Sequence, residues 1–556
     1  MYVLPVLLVV PNVALDFTEF NSVWAKLANT FAPWVLYMLL CSLSPRIGRT
    51  TLFFVPLMVL CAFQIVLLFL YGQSIIAIDM FMNVLTTNAK EVGELLGNLM
   101  TAIVCVVAIY LPPIVAGVIF TVRREYAART ALDTARKLGW GALAVGVIFW
   151  IIAALTVPSF KWTREIFPYN VCSNMVTAVV RDAQSRHYAD TSRGYTFAAR
   201  STRADTLPEV YVFVIGETAR ADNWQLFGYG RPTTPRLSAR SGIHAYPKAL
   251  TEINTTHKSV PMLMSQLNST NFGDSVALVK SIFAPFNESG YDTYFISNQR
   301  RNGSYIDFYG QEADSAVFLT DGHDPHHDMI LADKLAELLD RTTAKKVFVI
   351  LHQYGSHFEY NKRYPRRYAQ FQPDANSDAV KGNRAQLINA YDNTILYNDA
   401  VLDSMISTLQ GRHVPAALVY VSDHGEDIFD DPRERFLHAS PVPTYWQMHV
   451  PMIVWTSDRF NAAYPQMHAA LTANTAQDVS SSRSVFHTLL DLAGVETPVL
   501  DRTQSLASDS YRLHDRRYLN DYNESVPLGD SGLRPYDFAR LDSAGISISP
   551  KSASQR

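Results

Sequence analysis

Hydrophobic positions are arranged along this chain in two ways. Over the first 157 residues they form long uncharged runs at 27–43, 51–70, 99–122 and 138–157, with a shorter, proline-broken run at 2–15. The long runs are close to the ~20 residues a helix needs to cross hydrocarbon, so they predict spanning helices. The short run predicts a truncated first span, because no basic flank precedes it and no convincing small-residue cleavage site follows. Beyond residue 208 the apolar runs shrink to strand length. "EVYVFVIGET", "DTYFISNQ", "KKVFVILHQYGSH", "AALVYVSDHGE" and "HVPMIVW" are too apolar to be half-exposed and suit a parallel sheet covered on both faces. Helical stretches lie between them at 327–339, 383–409 and 484–493. Alternating strand and helix predicts an α/β sandwich. The expected organisation is a transmembrane domain at 1–157, a linker with interfacial helices at 158–207, and a soluble α/β domain at 208–556.

Charge orients this arrangement. The loop after the second run carries Arg46 and Arg49, and the loop after the fourth carries Arg123, Arg124, Arg129, Arg136 and Lys137. The opposite loops, 16–26 and 71–98, hold only Lys26 and Lys90. The positive-inside bias places the amino terminus in the cytoplasm and everything after residue 157 outside, as an odd count of five spans requires. The formal net charge of -3 suggests no nucleic-acid partner. The four cysteines are Cys41, Cys61, Cys105 and Cys172. None lies beyond residue 172, so thiolate-held zinc is excluded from the soluble domain, which is large enough to stand without disulfides.

Open α/β sheets gather their sites at the carboxyl ends of strands. One apolar strand ends in Glu217 and Thr218, and another, Ala416–Ser422, ends in Asp423 and His424. Two carboxylates, a hydroxyl and an imidazole form an oxygen/nitrogen set that zinc accepts. A threonine hydroxyl is a poor nucleophile at neutral pH, and a bound divalent cation favours its alkoxide. Taken alone, "GETAR" also reads as a helix start capped by threonine, and "DHG" as a turn. His357 in "GSHFEY" and His438 in "FLHAS" are candidates for a second metal or a phosphate grip, with a core or surface histidine as the plain alternative. His449 opens an apolar strand and reads as structural. "HDPHHD" at 323–328 reads as a solvated loop and helix start. Asn83, Thr87 and Glu91 share one helix face by their spacing, which alone does not separate them from a solvated face.

These residues sit in recognisable blocks. "SIIAIDMFMNVLTTNAKE", "VFVIGETARADNWQLFGYGRPTTPRL", "TTHKSVPMLMS", "LHQYGSHFEYNKRYP", "NAYDNTILYND", "VSDHGED", "HVPMIVW" and "FHTLLDLAG" follow one another in family order. Along most of its length the chain resembles the membrane-anchored phosphoethanolamine transferases of Gram-negative bacteria. The resemblance implies five membrane helices followed by an alkaline-phosphatase/sulfatase-like α/β sandwich. It implies zinc held by Glu217, Thr218, Asp423 and His424, with Thr218 as the nucleophile that carries phosphoethanolamine. His357 and His438 match substrate or second-zinc histidines, and Asn83, Thr87 and Glu91 match contacts to the phosphoethanolamine group. The implied donor is phosphatidylethanolamine. The implied acceptor is a cell-envelope glycolipid or glycan: lipopolysaccharide core, lipid A or periplasmic glucan. The implied setting is the bacterial inner membrane, with a monomeric multi-pass chain and its catalytic domain in the periplasm.

The chain departs from the family in places. Lipid A and colistin-resistance members staple the soluble domain with disulfides, whereas this domain has no cysteine. Where they carry a serine and a lysine, this chain reads "SNQRRNG", which offers Arg300 or Arg301 in the lysine's place. These features and "FLHASPVPTYWQMHVPM" are closer to the core-sugar or glucan members. Phosphoglycerol transferases share the architecture and a threonine nucleophile, and "GETARADN" and "YDNTILY" favour the ethanolamine group. No Cys or Ser stands in a C/S-x-P-x-R arrangement, which argues against sulfatase chemistry. A non-catalytic membrane protein binding lipid headgroups is the remaining alternative.

Overall fold

The computed structural model describes residues 2–18, 22–71, 76–86, 100–156, 162–203, 208–321, 326–375 and 379–548. The chain forms two compact units, Met1–Val180 with Asp430–Arg435, and Arg181–Phe429 with Phe436–Arg556.

The first unit is helical: α1 (Val3–Leu8), α2 (Val10–Thr18), α3 (Val23–Ser42), α4 (Ile47–Phe53), α5 (Val55–Tyr71), α6 (Ile78–Thr86), α7 (Met100–Val122) and α8 (Arg129–Thr156), followed by the start of α9 (Tyr169–Ser185). Among the described residues, α7 and α8 are long and apolar enough to cross a membrane, and α4 with α5 make a third if that pair, bent by 48°, is one span. The bend has a local cause. Pro56 has no N–H to return to Leu52, and its ring crowds that carbonyl. The run at 2–15 is likewise divided, at Val9, two residues before Pro11. Small residues bring these helices close. A Cβ on Gly48 of α4 would stand 2.3 Å from the Thr121 nitrogen of α7, and one on Gly146 of α8 3.1 Å from the Ala32 methyl of α3. Close backbone packing of this kind supplies attraction between helices where no hydrophobic drive acts, as in lipid.

In the second unit a seven-stranded sheet contains β1 (Glu209–Gly216), β2 (Ile243–Ala245), β3 (Asp292–Ser297), β4 (Ser315–Phe318), β5 (Lys346–His352), β6 (Ala416–Ser422) and β7 (Met452–Thr456), in the order β2-β7-β6-β1-β5-β3-β4. β1 is central, with β5 and β6 parallel on either side. Its alternate residues feed two cores. Tyr211, Phe213 and Ile215 face one, and Val210, Val212 and Val214 the other, so every position of the strand is buried. The first core includes residues of α10 (Thr256–Leu263) and, later in the chain, the helix Ser481–Leu492. The second includes residues of α11 (Met329–Arg341) and α12 (Arg384–Gln410).

The sheet departs from the expected pattern in two respects. β7, read as one more parallel strand, runs antiparallel to β6. The apolar composition is the same either way, because both faces are covered. β2 and β4 are three- and four-residue edge strands, too short to stand out in the sequence.

Candidate metal centre and active site

β1 and β6 deliver their carboxyl ends side by side, with Gly216 opposite Ser422. Glu217 follows β1, and Asp423 and His424 follow β6. All three are buried, and one ligand atom from each lies within 4.8 Å of the others. His424 Nε2 is 3.2 Å from Asp423 Oδ2 and 3.8 Å from Glu217 Oε1. The backbone locks the corner: Asp423 N donates to Gly216 O at 3.1 Å, and Thr218 N and His424 N donate to Asp423 Oδ1 at 3.1 and 2.7 Å. Gly355, after β5, closes it from the other side. Its φ is +55°, and a Cβ there would stand 2.6 Å from Glu217 O, so glycine is required by both conformation and space.

The donor chemistry fits a cation. His424 Nδ1 lies 2.9 Å from Gly425 O, and a carbonyl can only accept, so Nδ1 carries the hydrogen. Nε2 therefore presents its lone pair toward two carboxylates. Asp423 Oδ2 is buried and accepts no hydrogen bond. Lone pairs converging at this spacing repel one another unless a positive ion stands among them. The carbonyl that fixes the tautomer is the usual partner of a metal-bound histidine.

Two hydroxyls approach the cluster, and they differ. Thr218 is wholly buried, at 0% exposure, with its backbone in the left-handed region at φ +61°. Its Oγ1 donates to Glu217 Oε1 at 2.6 Å, and its carbonyl accepts from the Tyr391 phenol at 2.7 Å. A β-branched residue held there stores ~1–3 kcal/mol, borne by these bonds. Thr256 is partly exposed. It is the first residue of α10, its Oγ1 is 3.0 Å from His424 Nε2 and 3.5 Å from Glu217 Oε1, and the positive end of the helix favours an oxyanion there. Ser259, one turn on, donates to Asp423 O at 2.6 Å and fixes the helix against the cluster. Sequence reasoning alone misses Thr256, although it lies in the block "TTHKSVPMLMS". It also misses Gln299, after β3, whose Nε2 is 3.4 Å from Glu217 Oε2.

His438 joins the periphery. Its ring centroid is 4.1 Å from that of His424. Burial first, then the neighbouring His424 and His357, holds its imidazole well below the ordinary histidine range. His357 is half-buried and stacks on Tyr354 at 5.2 Å. Arg300 follows Gln299 in a half-buried loop, while Arg301 is turned to Asp321 at 3.1 Å. His449 is structural: Nδ1 meets Asp222 Oδ2 at 2.6 Å and Nε2 meets Pro247 O at 2.8 Å. Asp328, expected in a solvated loop, is buried and accepts from Asn298, Tyr354 N and Gly355 N. Asn83 lies on α6, without a described side chain, and Thr87 and Glu91 fall outside the described residues.

The Sulfatase family profile matches residues 209–495, just over half of the chain. The chain belongs to the sulfatase family. The chain is similar to a Salmonella typhimurium protein named Kdo(2)-lipid A phosphoethanolamine 7''-transferase, 33% identical over 51% of this chain and 50% of that one. Phosphoethanolamine transferase EptC of Escherichia coli K12 is 29% identical over 59% of this chain and 58% of its own. The matches therefore span about half the length of these curated relatives. The crystal structure of the zinc complex of the E. coli EptC periplasmic domain superposes with a TM-score of 0.55 at 25% identity, over 63% of this chain and 98% of that one. The integral membrane protein EptA of Neisseria meningitidis gives a TM-score of 0.69 at 23% identity over 90% of this chain and 98% of its own, and shares its fold.

Proposed function

We propose that this sulfatase-family protein transfers phosphoethanolamine from phosphatidylethanolamine to a glycolipid or glycan acceptor of the cell envelope, through a covalent phosphothreonine. The observation that carries this reading is the partly exposed Thr256 hydroxyl, at a helix N-terminus and against His424 Nε2 and Glu217 Oε1. It moves the nucleophile's role from Thr218, whose hydroxyl is buried and spent on Glu217, to Thr256. The names of the relatives support the transferred group and an acceptor of the lipid A type.

In this reading Glu217, Asp423, His424 and Thr256 hold zinc. When bound, that ion lowers the pKa of the hydroxyl it touches and offsets charge on the phosphoryl group. Thr256 Oγ1 attacks phosphorus, the bond to the diacylglycerol oxygen breaks, and that oxygen takes a proton. An acceptor oxygen then attacks the phosphothreonine and releases Thr256. His357 and His438 are assigned the protons at the leaving and entering oxygens. Asn83, Thr87, Glu91 and Arg300 keep the headgroup contacts that the resemblance implies. The five-span membrane domain at 1–157, the linker at 158–207 and the periplasmic domain at 208–556 belong to the same proposal. The exposed apolar side chains Tyr169, Met175, Val176, Val179 and Val180 of α9 support an interfacial linker.

The test uses the full-length protein loaded with zinc and mixed with phosphatidylethanolamine vesicles, with peptide mass spectrometry and a diacylglycerol assay. The expected result is a phosphoethanolamine adduct on the Thr256 peptide with diacylglycerol released. An adduct on the Thr218 peptide would return the nucleophile's role to that residue. No adduct and no diacylglycerol, with zinc bound and the protein folded, would refute the transferase reading; phosphatidylglycerol would be tried next.

A further inference from the structure

A third carboxylate stands behind the site and has no part in the metal cluster. Glu426 is wholly buried. The Tyr360 phenol, in the segment after β5, donates to Glu426 Oε1. The other oxygen, Oε2, lies 3.6 Å from His438 Nδ1, a few tenths of an ångström beyond hydrogen-bond reach. The His438 ring also lies against His424, with centroids 4.1 Å apart and planes at 39°. The imidazole is thus near a carboxylate at Nδ1 and in ring contact with a residue of the cluster.

This edge of the scaffold is firm. The Tyr360 ring meets Tyr391 edge-on at 5.1 Å. The Tyr391 phenol bridges the Thr218 carbonyl and the Arg220 amide, at 2.7 and 2.9 Å. Arg220 Nη1 in turn reaches Glu426 O at 3.4 Å. Tyr360 and Glu426 are therefore braced against the same turn that carries Glu217.

We propose that Tyr360 and Glu426 are positioning residues that fix the orientation and tautomer of His438. An ionised carboxylate only accepts, so the hydrogen sits on Nδ1 when the pair closes, and Nε2 keeps its lone pair toward the transferred phosphoryl group. Tyr360 occupies the other carboxylate oxygen and holds the plane of Glu426. The inference rests on the reading above, in which His438 handles a proton at the entering or leaving oxygen.

A double-mutant cycle tests it, with zinc-loaded full-length protein and a fluorescent phosphatidylethanolamine. E426A is expected to lower kcat about 10–100-fold, the usual cost of losing an outer partner of a site histidine, with KM within about twofold. In the H438A background, E426A is expected to cost nothing further, because its effect passes through the imidazole. The isosteric E426Q, checked by thermal melting, keeps the test sound if E426A unfolds, and is expected to show the same non-additivity. Losses that multiply in the double variant, or an E426A protein as fast as the wild type, would overturn the positioning role alone. A wild-type protein that turns over no phosphatidylethanolamine would overturn the transferase reading and this inference with it.

Discussion

A hydroxyl that attacks a membrane lipid must be reachable and must lose its proton near neutral pH. Thr218 and Thr256 divide these properties unequally. Thr218 lies beside the Glu217 carboxylate, which explains its prominence in the sequence, but it is sealed from solvent. Thr256 is reachable and rests on His424 Nε2. Thr256→Ala is expected to lower turnover at least about 10³-fold with the fold retained. Thr218→Ser, which preserves the bond to Glu217, is expected to stay within about tenfold of the wild type; steady-state kinetics and metal analysis of the two variants decide between the residues. Glu217, Asp423 and His424 were legible because each follows an apolar strand, where open sheets place their chemistry. Thr256 was not, because only the two-residue strand Ala249–Leu250 lies just upstream, too short to stand out in the sequence. A threonine pair before an apolar helix reads as a cap, although the N-cap Thr255 makes no side-chain cap bond.

The segments that meet at this corner constrain one another. The loop after β5 presses Gly355 onto Glu217, so a single methyl there would strike that residue at its carbonyl oxygen, nitrogen and Cβ and displace it. Gly355→Ala is expected to destabilise the fold by about 1–3 kcal/mol and to lower zinc occupancy below that of the wild type. Calorimetry and elemental analysis of the purified variant would check both. The loop's role could not be read from the sequence, since "QYGSH" shows a glycine but not what lies against it. The helical elements were more legible: 383–409 was expected and Arg384–Gln410 is found. The direction of β7 was not, because a strand covered on both faces carries the same residues whichever way it runs.

The pattern of ionisation bears on the whole soluble unit. Burial pushes His352 down to about 3. Burial, with His468 nearby, pushes His244 down to about 4. Burial also holds His487 at about 4, against the pull of Asp501. The unfolded chain protonates these groups below 6.5, and the fold refuses protons until about 4 or lower. Their contribution is therefore fully present above 6.5 and is lost as the pH falls toward 4, each group giving up ~1.4 kcal/mol for every pH unit crossed. Zinc-free protein is expected to melt several degrees lower at pH 5 than at pH 7.5, while these groups predict little change between pH 7.5 and 8.5. Scanning calorimetry across this range would check the sign. Under the proposed function, zinc added at pH 7.5 is expected to raise the midpoint, because an ion held by the folded cluster and not by the open chain favours the fold.

Because β7 returns antiparallel to β6, the chain leaves the sheet after Ser422 and re-enters it at Met452 along the same edge. Everything between is an excursion with both feet on one strip of scaffold, and it carries Asp423, His424, Glu426 and His438. Such an excursion can change in length without shifting the register of the seven-stranded sheet, although it holds a short strand pair of its own, Asp427–Ile428 with Phe436–Leu437. It separates what must be kept from what is free to diverge. Near its first foot stand Asp423 and His424 of the buried cluster, whereas Asp430–Arg435, farther along, group with the first compact unit.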